Sequence, residues 1–310
     1  MTYKMDKVLI TGGVGFIGTN LRQELDKRGY NTWICDISHS NESKFIRCDV
    51  GSYRQLEKTI QKVQPDYVYH AAAEYGRWNG EAHYENLWLT NAVGTKNILK
   101  MQKEFGFKMI FFGSAEVYGD YDGLMKEDVM ETVPLKQMND YAISKWVNEM
   151  QILNSADMDH TESVRVRLFN VYGPHEHYNP FRGVVPVFIY RLLHGLPITV
   201  YKGHKRTFEY VKDIVRTFAN IIDNFVPGEV YNLGSETQYP IENLAEITLK
   251  YTGADKSLVT YKGEEAFTTR FKKADSSKAQ AQLDHDITIS LDEGIKRTVE
   301  WFKKEYHVGG

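Results

Sequence analysis

Short apolar and β-branched runs alternate along the first half of the chain with longer stretches in which apolar residues recur every three to four positions. The runs are KVLI, TWICDI, KFIRCDV, DYVYHAAA, KMIFFGS and VRVRLFNVYG. Runs of this length and composition read as strands, and the helical spacing between them falls at residues 16–28, 55–63, 86–105 and 140–154. Strand and helix in strict alternation predict a parallel sheet covered on both faces. After about Gly173 the rhythm changes to a Pro/Gly/His-rich loop, GPHEHYNPFRG, a helix over 186–194 and shorter mixed elements. Within 207–235, VKDIVRTFANIID and EVYNLGS regain the apolar character of the first half and are expected to rejoin its sheet. The expected architecture is therefore α/β, with a doubly wound parallel sheet over 1–172 and a smaller mixed α/β domain over 173–310.

Composition narrows the classes of partner. With 310 residues, 42% of them hydrophobic, the chain can bury a large core. The net charge is only −3 and no basic stripe stands out, so neither nucleic acid nor a membrane surface is an expected partner. No stretch approaches the roughly 18 apolar residues of a membrane span. The start, MTYKMDKVLI, is too polar for a secretory leader, so a cytoplasmic protein is expected. Cys35 and Cys48 form no CxxC, which fits buried thiols in a reducing compartment. His175-Glu176-His177 lacks further spaced ligands and reads as a solvated loop, so no metal is expected.

TGGVGFIG, residues 11–18, lies between the first predicted strand and the first predicted helix. In that place Gly12 permits a tight turn, Gly15 lets a pyrophosphate approach the backbone, and Gly18 lets the helix pack on the sheet. Phe16 and Ile17 open the helix, whose amino end offers free N–H donors. Asp36, 18 residues after Gly18 at the end of the second strand, suits the 2′-hydroxyl of an adenosine ribose. No arginine follows it, which favours NAD over NADP. Asp49 and Val50, after the third strand, suit the amino group and the face of an adenine.

Three Tyr-x-x-x-Lys pairs occur, at Tyr3/Lys7, Tyr141/Lys145 and Tyr201/Lys205, but only the middle one lies on a convincing helix. There the ammonium stands one turn from the phenol and can favour its phenolate. Lowering a phenol from about 10 to about 7 takes roughly 4 kcal/mol, which Lys145 and a positive nicotinamide ring could share. Ser114 ends the KMIFFGS run, where a hydroxyl points into the ligand crevice of an open parallel sheet.

Together these motifs resemble the extended short-chain dehydrogenase/reductase family, within it the nucleotide-sugar epimerases, dehydratases and decarboxylases. The resemblance runs through TGGVGFIG, CDV, HAAA, TNAVGT, GSAEVYG, YAISK, RLFNVYGP, RTFEYVKD and VYNLG, nearly the whole chain. It implies a Rossmann domain holding NAD, with Ala71, Ala72, Ala73 and Asn91 beside the cofactor. It implies a carboxyl-terminal domain holding a nucleotide diphosphate sugar, expected to be a UDP-sugar. Arg77, Asn170, Val185, Arg206, Arg270 and Lys272 fall at or near substrate positions, Arg206 and Arg270 as diphosphate-binding arginines. A homodimer through helices near 91–105 and 141–153 is also implied.

In that family Tyr141 takes the proton of the sugar's 4-hydroxyl as a 4-keto sugar forms, and the next step decides the product. Dehydratases carry an Asp-Glu pair after the hydroxyl residue, whereas here the first of these is Ala115. Ser114-Ala115 is similar to UDP-hexose 4-epimerases, so C4 epimerisation of UDP-glucose/galactose or their N-acetylated forms is the leading expectation. Glu116, shared with decarboxylases and dehydratases, points the other way. Lys272 leaves a carboxylate-bearing sugar open. A non-catalytic NAD-sensing regulator is the alternative of a different class, and retention of Ser114, Tyr141 and Lys145 argues against it.

Overall fold

A computed structural model describes residues 6–263, 265 and 268–308; Tyr3, of the first Tyr/Lys pair, lies outside them. Seven strands form the main sheet: β1 (Lys7–Thr11), β2 (Asn31–Asp36), β3 (Phe45–Arg47), β4 (Tyr67–His70), β5 (Lys108–Ser114), β6 (Ser163–Leu168) and β7 (Val230–Leu233). Their spatial order is β3-β2-β1-β4-β5-β6-β7, and every pair is parallel. The order reverses between β1 and β4, which opens a crevice at the strands' carboxyl ends.

The alternating sides of each strand feed two cores. On β1, Val8 and Ile10 join one cluster and Leu9 the other; on β5, Ile110 and Phe112 oppose Met109 and Phe111. The first cluster is closed by Leu21 and Leu25 of α1 (Phe16–Lys27) and by Ile214 and Phe218 of a helix at Val211–Asp223. The second is closed by α2 (Tyr53–Val63), α4 (Gly94–Phe105) and α5 (Asp140–Asp159). Ahead of α4 in the chain stands α3 (Arg77–Ala82), which follows the loop after β4. A third cluster packs Phe188 and Ile189 of α6 (Val184–Leu193) against Leu244, Ile295 and Phe302 in the carboxyl-terminal part.

Two predicted elements are subdivided. The run VRVRLFNVYG breaks after Leu168 and resumes at Val171–Tyr172, which pairs with Glu209–Tyr210. The stretch 86–105 contains a wide turn at Leu89–Val93, which carries the buried Asn91 inward ahead of α4.

Candidate active site

α5 is capped by Asn139, whose Oδ1 accepts the Ala142 N–H at 2.9 Å. That cap places Tyr141 in the first turn and Lys145 one turn later. Glu149, a further turn on and fully buried, anchors the helix to β6: Arg167 donates Nε to Oε1 at 3.0 Å and Nη2 to Oε2 at 2.8 Å. Such a buried bidentate pair fixes the helix rigidly behind the crevice.

A cavity of about 380 Å³ occupies the crevice. It is lined by Gly12, Gly15, Phe16, Ile17 and Gly18 of the glycine turn, by Asp36, Asp49 and Val50, by Ala71, Ala72 and Ala73 after β4, and by Tyr141 and Lys145. Gly12 has φ +69°, and a Cβ there would lie 2.7 Å from the Ala72 nitrogen, so only glycine fits. Asp36 accepts from Val14 N at 3.1 Å and Ser38 N at 3.0 Å, which ties the second strand to the turn and leaves carboxylate lone pairs for a ribose. Arg47, opposite Asp36 on β3, donates instead to the Ile37 carbonyl at 3.1 Å and does not line the cavity. These residues fit a dinucleotide with an unphosphorylated adenosine ribose.

Asn91, expected beside the cofactor, is buried. Its amide accepts from Glu74 N at 2.9 Å and donates to Glu74 O at 3.1 Å and Ser144 Oγ at 3.0 Å, so it braces the loop after β4 instead of lining the cavity. The neighbouring Thr90 lines it.

At the far end, Ser114 Oγ accepts from Glu116 N at 3.2 Å and is hydrogen-bonded to the Tyr141 side chain. Burial pushes the Tyr141 phenol up to about 12, against that hydrogen bond. The Lys145 ammonium, drawn down to about 8 by burial, donates to the Phe112 carbonyl at 2.8 Å and lies 6.0 Å from the Tyr141 ring centroid. The ammonium is thus bonded to backbone and stands off the Tyr141 ring rather than on its hydroxyl. Arg182, which no motif singled out, lies 3.5 Å from the centroid of the Tyr75 ring, lines the same cavity and draws the Tyr141 phenol downward.

Beyond Ser114 a charged cluster forms. Lys272, 4% exposed, is ion-paired with Glu116. Burial would raise the Glu116 carboxyl, but the Lys272, Arg77 and Arg206 cations outweigh it and hold the group below its ordinary value. Burial lowers Lys272 to about 8 despite Glu116. Arg77 pairs with Glu265 at 3.0 Å, so among the described residues the cations Lys272, Arg77 and Arg206 face the carboxylates Glu116 and Glu265.

The remaining expected substrate residues divide. Arg206 spends its guanidinium on the carbonyls of Lys205, Thr269 and Arg270 and on Thr268 Oγ1, holding the segment that leads to Lys272. Arg270 is exposed, and its carbonyl is one of those acceptors. Asn170 donates to Thr207 O at 3.0 Å at the break after β6. Val185, 3% exposed, packs in the carboxyl-terminal core. Among the described residues no cluster of His, Cys, Asp and Glu could hold a metal ion, and Cys35 and Cys48 are buried free thiols. No described helix is long and apolar enough to cross a membrane.

A model of the NAD dependent epimerase/dehydratase family matches residues 8–234. The chain belongs to this family. It is 32% identical to the UDP-N-acetyl-alpha-D-glucosaminuronate decarboxylase of Bacillus cytotoxicus, over 96% of this chain and 98% of that one. The UDP-glucose 4-epimerase of Thermotoga maritima, solved with UDP-glucose, superposes with a TM-score of 0.87 at 27% identity, over 97% of this chain and 99% of the other. MoeE5 in complex with UDP-glucuronic acid and NAD gives 0.86 at 25% identity, over 96% and 99%. The family is NAD-dependent, and NAD is the cofactor the cavity fits. Its members act on nucleotide sugars as epimerases, dehydratases and decarboxylases, so this chain is an enzyme of that group.

Proposed function

We propose that the enzyme decarboxylates a UDP-hexuronic acid to a UDP-pentose. The observation that carries this reading is the buried Lys272 paired with Glu116, next but one to Ser114, with the Arg77 and Arg206 cations acting on the same carboxylate. A neutral sugar has no use for a desolvated cation beside its reacting carbons, whereas a uronate brings the matching charge. The decarboxylase relative from Bacillus cytotoxicus supports the same choice.

Tyr141 accepts the proton of the 4-hydroxyl, with positive charge from Lys145 and Arg182 favouring its phenolate. When bound, NAD supplies the hydride acceptor for C4. A ketone at C4 lies β to the C6 carboxylate, so the C5–C6 electron pair passes toward O4 as carbon dioxide leaves. Ser114 and Tyr141 hold that oxygen while it gains charge. Lys272, with a pKa of about 8, donates the proton that C5 requires, and Glu116 keeps its ammonium in place. Tyr141 returns its proton to O4 when the C4 hydroxyl is restored at the end of the turnover.

C4 epimerisation is the second reading, favoured by the Ser114-Ala115 pair. Dehydration is disfavoured, because Ala115 stands where the acid for the leaving hydroxyl would be needed. Mass-spectrometric product analysis on UDP-hexuronates and neutral UDP-hexoses separates all three. A second copy of the chain is the proposed partner: Leu89 and Val93 before α4, and Met150 and Leu153 on α5, are 38–47% exposed on the two helical segments expected to pair. Analytical ultracentrifugation tests that part.

A further inference from the structure

Arg77 is presented from a rigid turn. It opens α3 directly after Gly76, whose φ is +87° and whose ideal Cβ would lie 2.6 Å from the Phe181 carbonyl. The Arg77 Nη2 donates to Glu265 Oε1 at 3.0 Å, with side chains 21% and 24% exposed. Glu265 is itself held, its N–H donating to His204 Nε2 at 3.2 Å. Arg77 acts electrostatically on both Glu116 and Lys272. One turn on in α3, an ideal Cβ at Gly80 would stand 3.4 Å from the Tyr141 nitrogen, so the helix that carries Arg77 packs beside Tyr141 at the substrate end of the crevice.

A guanidinium fork matches a carboxylate, and the carboxylate on it here belongs to the protein. A partly exposed ion pair holds weakly, so a ligand carboxylate brought by a well-bound nucleotide can exchange with it. A neutral hydroxymethyl group gains nothing from that exchange. We infer that Arg77 selects acidic nucleotide sugars by taking their C5 carboxylate, and that Glu265 is the resident carboxylate which the substrate displaces. This deepens the decarboxylase reading and rests on it for the identity of the acidic group.

The test is calorimetric binding of UDP-glucuronic acid and UDP-glucose to NAD-saturated protein carrying Tyr141→Phe, which keeps the acid from being turned over during the titration, with each further change made in that background. Glu265→Gln removes the competitor while keeping its shape, and should tighten UDP-glucuronic acid by about fivefold with UDP-glucose unchanged. Arg77→Gln should weaken the acid by about tenfold and leave UDP-glucose within about twofold. Arg77→Lys, a point charge without the fork, should fall between. Equal shifts for both sugars in Glu265→Gln, or an undiminished preference for the acid in Arg77→Gln, would overturn the assignment. Should the unmodified enzyme release no carbon dioxide while Glu265→Gln still tightens only the acid, decarboxylation fails and the selection by Arg77 stands. Should carbon dioxide be released while Glu265→Gln treats both sugars alike, decarboxylation stands and the selection by Arg77 fails.

Discussion

Lys272 and Glu116, 156 positions apart in the chain, form an ion pair at the substrate end of the Ser114–Tyr141 hydrogen bond. Lys272→Met leaves the carboxylate without its nearest cation and should lower stability by about 3 kcal/mol in urea unfolding. The double variant with Glu116→Gln should recover most of that loss without recovering activity. Because Lys272 must be protonated to act on C5 and is held at about 8, the rate of the unmodified enzyme should fall as pH rises through that value. Lys272→Arg should move this limb beyond the measurable range; a limb unchanged by Lys272→Arg would assign it to Lys145, also held at about 8.

Tyr141→Phe removes the proton acceptor but keeps the ring. Turnover should drop by about 10²-fold or more, with NAD affinity nearly unchanged. Tyr201→Phe, on a short strand at Ile198–Tyr201 far along the chain, is the control and should change little. Comparable losses in the two variants would show that Tyr141 is not the base.

Asp36→Ala should narrow the preference for NAD over NADP, read from the two dissociation constants. The same change removes the acceptor for the Val14 and Ser38 amides, so NAD itself should also bind more weakly. Equal affinity of the unmodified protein for both cofactors would refute the role given to Asp36.

Glu176 offers a stability test independent of catalysis. Although its loop reads as solvated in the sequence, the Glu176 side chain is buried, and burial raises its carboxyl to about 7 against the pull of Arg182. The folded pKa lies above the unfolded one, so the protonated form stabilises the fold fully below about pH 4.5, and that contribution is lost as pH rises through about 7. Glu176→Gln should therefore gain on the unmodified protein across this window, by up to about 3 kcal/mol, in denaturant midpoints measured at several pH values. A difference that does not vary with pH would place an ionised Glu176 in the fold at all these values.

The features legible in the sequence are those written by neighbours in the chain. The glycine turn, Asp36 and the Tyr141/Lys145 pair each follow from local spacing, and all reach the cavity as expected. Strand β7 is legible because VYNL repeats the apolar character of the other strands. What local pattern does not encode is meeting across long separations: Arg77 with Glu265 spans 188 positions, and Lys272 with Glu116 nearly as many. Val185, expected at or near a substrate position, packs in the carboxyl-terminal core, and Asn91 is turned inward by a wide helical turn that no residue pattern announces. Arg182 carries no motif, since its place is set by stacking on Tyr75.

Decarboxylation is tested most directly with UDP-glucuronic acid labelled with carbon-13 at C6, incubated with the NAD-loaded enzyme while headspace gas and nucleotide products are followed by mass spectrometry. Labelled carbon dioxide and an unlabelled UDP-pentose should appear in equal amounts, with no accumulation of reduced cofactor. A C4 epimer that keeps the label, with no labelled carbon dioxide, would contradict the assignment of Lys272 and Glu116 to a uronate.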